Sequence, residues 1–175
     1  MDLRELLTKK SSEIQNRWFN EIVETYPAET SQFLKSNKKQ FANPVGSSLQ
    51  QGIEGIFDGL ANDASHETIA PFLDKIIRVR AIQDFTPSQA IQFIFDIKYI
   101  IRDVLRDEIR KNDFYEDLLS LESKIDDLTA VSFDIFMQCR EKLYEIKSTE
   151  LHRMTYKIIE NANVLKEGPN GDTEK

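Results

Sequence analysis

The chain has 175 residues, 40% hydrophobic and 30% charged, which fits a folded domain with a real core and excludes a disordered chain. Its formal net charge of −7 argues against nucleic acid as a partner, because a phosphate backbone needs a basic face. A single cysteine, Cys139, excludes a disulfide framework and a multi-cysteine zinc site, and six glycines with five prolines are too few turn residues for an all-β fold.

Residues 2 to 25 place Leu3, Leu6, Leu7, Ile14, Trp18 and Ile22 at mostly helical spacing, and Pro27 stops that helix. A short element is expected around Phe33 and Leu34. Asn43-Pro44, a cap residue followed by a first-turn proline, opens a helix carrying Val45, Leu49, Ile53, Ile56, Phe57 and Leu60. Gly52, Gly55 and Gly59 lie on the same segment and cost helix propensity; they either admit a neighbouring helix closely or leave this one frayed. The polar run from Asn62 to His66 reads as a loop. Ile69, Phe72, Leu73, Ile76 and Ile77 then form one stripe, with Arg80 on it a turn further on.

Thr86-Pro87-Ser88-Gln89 has a cap, a first-turn proline and a capping-box glutamine in order. The helix it opens is expected to be the most buried in the chain, with Ile91, Ile94, Phe95, Ile97, Ile101, Val104 and Leu105 on its broad face. Gln92, Asp96, Asp103 and Arg106 mark the wet side, so this helix is predicted to be central to the core. It ends at Lys111-Asn112-Asp113, and a last helix runs from near Phe114 toward Leu165 without proline or glycine. Its first half carries Leu118, Leu121, Ile125, Leu128, Ile135, Cys139, Leu143 and Ile146. Its second half shows a different stripe, Tyr144, Lys147, Leu151, Met154, Ile158, Asn161 and Leu165, spaced alternately three and four.

The pattern gives an all-α chain: a helical domain over 1–147, a terminal helix extension over 148–167 and a disordered tail over 168–175. Asp96, Lys98 and Arg102 interrupt the best membrane-span candidate, and the N-terminus lacks the apolar region of a signal peptide, so a cytoplasmic protein is expected.

Catalytic chemistry is sparse. His66 and His152 lie in polar surroundings, not on a buried stripe as a haem ligand would. No phosphate-binding glycine loop or nucleophile elbow is present, and Cys139 sits on a core stripe. The pairs Glu116-Asp117 and Asp126-Asp127 read as solvated faces. No enzyme activity, metal or cofactor is expected. Two features exceed this background. Lys98 and Arg102 project from the apolar arc four residues apart; they need an acidic partner in the chain or a ligand, or their stems lie on apolar surface with the heads in water. Arg80 lies on a core stripe four residues before Asp84, which reads either as a structural ion pair or as an anion site using Arg78 or Arg80. The distal stripe suggests a homodimer interface of Leu151, Met154, Ile158, Asn161 and Leu165, in which two Asn161 side chains meet; the alternative is a fold-back onto Leu3, Leu6 and Leu7.

The stretch FANPVGSSL at 41–49, the run LDKIIRVRAIQDFTPSQAIQFIFDIKYIIRDVL at 73–105 and the early NRWFNEIVETYP at 16–27 carry a family pattern. Trp18, Tyr26-Pro27, Asn43-Pro44, Arg80-Ala81 and Thr86-Pro87-Ser88-Gln89 follow in order, and over residues 10 to 145 the chain resembles the N-terminal domain of RsbRD-type RsbT co-antagonist proteins. The resemblance implies a globin-like helical bundle without haem, paired as a dimer. It also implies a non-enzymatic signal-input role in stress-response regulation, with an unidentified regulatory protein as partner. In that family a C-terminal STAS domain does the output work; with the sequence ending at Lys175, that domain is expected to be lacking. The rival expectation is an anion-binding protein without signalling output, using Arg80, Lys98 or Arg102.

Overall fold

The computed structural model describes residues 2–36 and 42–166, with side chains described as far as residue 162. Among these the chain is all-α: α1 (Leu3–Lys9), α2 (Ser11–Glu24), α3 (Ala28–Ser36), α4 (Pro44–Ala61), α5 (His66–Ala81), α6 (Pro87–Val104), α7 (Arg106–Asn112) and α8 (Tyr115–Lys166). The chain divides into two compact units between Cys139 and Arg140. The predicted tail at 168–175 lies outside the described residues.

Local capping signals account for the starts of three helices. Asp2 accepts from the Glu5 amide while the Glu5 carboxylate accepts from the Asp2 amide, a capping box that starts α1. Asn43 accepts from the Gly46 amide and Pro44 fills the first turn of α4. The buried Asn43 amide also donates to the Leu34 carbonyl, tying α3 to the start of α4. At α6, Thr86 and Gln89 exchange the two capping-box bonds.

Several boundaries differ from the sequence reading. The first expected helix is two, because Lys10 leaves helical geometry at φ −101°, ψ 8° between α1 and α2. His66, read as loop, is the first residue of α5. The helix expected to end at Lys111–Asp113 already breaks at Leu105, and α7 follows it to a left-handed cap at Asp113, φ 56°. Hydrophobic periodicity is blind to a break of one residue that leaves the apolar side chains on the same side.

The core of the first unit gathers α1, α2, α4, α5, α6 and the first part of α8, with Leu34 of α3 and Ile109 of α7. The glycines of α4 are tightly fitted rather than frayed. A methyl group at Gly52 would lie 2.6 Å from Cγ1 of Ile76, one at Gly59 would lie 2.5 Å from Cγ1 of Ile69, and one at Gly55 would enter the Phe72 ring. Small residues on α4 thus let α5 approach closely. On α6 the buried arc is Ala90, Phe93, Ile94, Ile97, Ile100 and Ile101, and Phe95, placed on the core face from the sequence, is exposed. The Trp18 indole N–H donates to the Phe93 carbonyl at 2.6 Å and its ring packs on Phe93, which turns α6 toward α2 through that residue. An arc that covers more than half a helix does not reveal its own centre.

Candidate functional site

Arg80 is wholly buried, and among the described residues no carboxylate forms an ion pair with it. Nη1 donates to the Gln89 carbonyl at 2.8 Å, and Nη2 donates to the Thr25 hydroxyl at 2.6 Å. Longer contacts reach the Ala90 and Ile22 carbonyls. The guanidinium lies over the rings of Phe85, Phe93 and Tyr26, at 4.6, 5.5 and 5.8 Å from their centroids. Asp84, the expected ion-pair partner, is exposed and absent from this set. Thr25 caps the C-terminal end of α2, where the helix dipole is negative, so the charge is stabilised by backbone and ring electrons. Burial pushes the guanidinium below its usual value, against the Tyr26 phenol, and burial pushes that phenol up. Arg80 therefore fastens α5 to the end of α2 and the start of α6.

Lys98 and Arg102 have partners on α8. Lys98 Nζ donates to both carboxylate oxygens of Asp126, at 2.8 and 3.0 Å. Arg102 grips Glu122 in a two-pronged pair through Nε and Nη2, and Glu122 is buried. The pair raises the Arg102 guanidinium above its usual value, the hydrogen bond to Glu122 contributing most. An external anion at either cation would compete with one of these carboxylates. Asp126, read from the sequence as solvated, is exposed but ion-paired.

A third charge contact lies on the far side of the same helix. Asp63, at φ 55° in the turn between α4 and α5, accepts from Arg4 of α1 at 3.0 Å and from Lys124 of α8 at 2.8 Å. These bonds hold its carboxyl below the usual range, Lys124 contributing most. The three residues line a cleft of about 500 Å3 together with Leu60 and Leu121. The sequence reading missed this cluster; the only local signal was the polar Asn62-Asp63 turn. Between the two sets of charges α8 buries Leu118, Leu121, Ile125, Leu128 and Phe136, with Thr129 and Ser132 bonding back to their own helix.

In the second unit the expected interface residues stand in the open: Leu151 is 66%, Met154 57% and Ile158 68% exposed, and Asn161 is exposed too. The Leu165 side chain lies outside the described residues. Leu3, Leu6 and Leu7, the alternative partners, are buried in the core of the first unit. His66 is half-buried, His152 is exposed, and burial pushes the half-buried Cys139 thiol up. Among the described residues no group of acidic, histidine or cysteine side chains is arranged to hold a metal, and no helix is long and apolar enough to cross a membrane.

Among the described residues the first unit is all-helical, and the second leaves Leu151, Met154 and Ile158 exposed. The family model for the RsbT co-antagonist protein rsbRD N-terminal domain matches residues 12–151, and the chain belongs to that family of regulatory sensor domains. An uncharacterised protein of Archaeoglobus fulgidus (strain ATCC 49558 / DSM 4304 / JCM 9628 / NBRC 100126 / VC-16) is 29% identical over 125 residues, covering 68% of this chain and 79% of its own. No solved structure matches.

Proposed function

We propose that the chain is a non-enzymatic, cytoplasmic signal-input protein that works as a homodimer and passes a change in helix packing along α8 to a regulatory protein partner. The observation that carries this reading is the continuity of α8. One helix contributes Leu118 to Phe136 to the core of the first unit and continues through Leu151, Met154 and Ile158, which are exposed. A helix with an open apolar stripe has a reason to pair. A signal that favours one packing of the body has to bind the two packings differently, and α8 is the element able to report the difference. Sedimentation of the full chain beside Leu151→Glu/Ile158→Glu tests the pairing. A dimer at micromolar concentration that the double variant abolishes supports it; a monomeric full chain refutes it.

A second reading, anion binding, has one observation in its favour. Arg17, Arg102 and Arg106 line a cleft of about 550 Å3 beside Tyr99, together with Glu21, Asp96 and Asp103, and Asp103 already pairs with Arg17 and Arg106. An anion entering there would compete with Glu122 for Arg102 and loosen α8 from α6. Titration with inorganic phosphate, read by NMR shifts of the Arg102 and Glu122 amides, tests it; unchanged shifts at millimolar phosphate remove this reading.

A further inference from the structure

We infer that the distal half of α8 pairs with the same segment of a second copy in antiparallel orientation. The inference rests on the homodimer reading above and goes beyond it by fixing direction and register.

The exposed stripe has a heptad frame. Tyr144, Leu151 and Ile158 occupy one seam position; Lys147, Met154 and Asn161 occupy the other, and all six are exposed. A parallel, in-register pair would set each residue against itself. Lys147 would then meet Lys147 of the second copy in the seam, two like charges side by side. The flanking positions offer nothing in return: Glu150 would face Thr155 and Lys157 would face Ala162, so no pair of opposite charges forms.

The antiparallel alternative centres on a layer in which Leu151 meets Met154 of the second copy and Met154 meets its Leu151. The next layers set Lys147 against Ile158 and Tyr144 against Asn161. A lysine stem can lie along an isoleucine while its ammonium reaches water. A tyrosine hydroxyl and an asparagine amide can hydrogen-bond each other, so the polar Asn161 gains a partner. In this register Glu150 flanks the central layer opposite Lys157 of the second copy, and by symmetry the pair occurs twice. The central layer also falls at the midpoint of Arg140–Lys166, the helical part of the second unit, so the two segments overlap along their whole length. Charge and register thus select antiparallel pairing over the register in which two Asn161 side chains meet.

The test uses full-length chains carrying Cys139→Ser, one with Tyr144→Cys and one with Asn161→Cys. Positions 144 and 161 are about 25 Å apart along one helix, so a disulfide between them has to join two chains. Oxidised separately, each variant is expected to stay free of covalent dimer; mixed before oxidation, the two are expected to give a covalent heterodimer. A covalent homodimer in either separate sample means parallel pairing and overturns the inference while leaving the homodimer standing. No disulfide in any arm, with a dimeric mass by light scattering, places the interface elsewhere and overturns it as well. A monomeric mass for the unmodified chain overturns the homodimer reading itself. As a second measurement, Glu150→Lys is expected to weaken dimerisation roughly tenfold, and Glu150→Lys/Lys157→Glu to restore it. Failure of the exchange to restore affinity contradicts the antiparallel register.

Discussion

The α4–α5 contact and the docking of α8 on α6 solve the same problem with different chemistry. The first is a shape fit: three glycines on α4 receive Ile69, Phe72 and Ile76 from α5, and little side-chain volume separates the backbones. The second surrounds an apolar stripe with ion pairs, Lys98 with Asp126 and Arg102 with Glu122, and adds Lys124 with Asp63 on the other side of the helix. A close-packed seam has one good arrangement and loses contact energy with any displacement. A charged rim can exchange its partners for water or ligand at modest cost, and more easily in salt. On the function proposed above, this difference suits α4–α5 to the fixed role and α8 to the movable one.

Variants test this division, beginning with the largest effect. Arg80→Met should destabilise the chain by about 3 kcal/mol, because the Thr25 hydroxyl and the carbonyls around it lose their donor inside the core. The urea midpoint is the readout, and an unchanged midpoint would mean that the guanidinium is no anchor. Gly52→Leu should cost about 2–3 kcal/mol by forcing α5 away from α4, again in the urea midpoint. If Gly52→Leu is tolerated as well as an exposed substitution, the α4–α5 seam is not the rigid half. Glu122→Gln should cost only about 1 kcal/mol, and a double-mutant cycle with Arg102→Met should recover coupling of that size.

The smallest effect is one of pH. The Asp63 carboxyl is held below the usual range, so the folded chain takes up that proton less readily than the unfolded one. Its contribution is complete above the usual aspartate range and is lost as pH falls through the lower folded value. Asp63→Asn should therefore reduce the difference in midpoint between neutral and strongly acidic solution; a difference identical to that of the unmodified chain would remove Asp63 from the clamp.

The fold class could be read from the sequence because helix stops and caps are local events. Asn43-Pro44 and Thr86 to Gln89 carry their meaning within four residues, and the structure has both caps. The single-residue breaks at Lys10 and Leu105 were invisible because the apolar spacing runs through them. Spacing along the chain offers Arg80 only a nearby carboxylate, Asp84, or an external anion. The answer lay in carbonyls and rings from α2 and α6, which the chain brings together only on folding. Asp63 escaped for the same reason: its partners Arg4 and Lys124 are remote in sequence, and nothing in the turn points to either.

Native-state hydrogen exchange on the full chain, at low and high salt, tests the division of labour most directly. Amides of α4 and α5 are expected to exchange only through global unfolding, with little response to salt. Those of α8 between Leu118 and Phe136 are expected to exchange through a smaller opening that becomes easier as salt rises. Equal protection of the two regions, unchanged by salt, would contradict the assignment of α8 as the movable element.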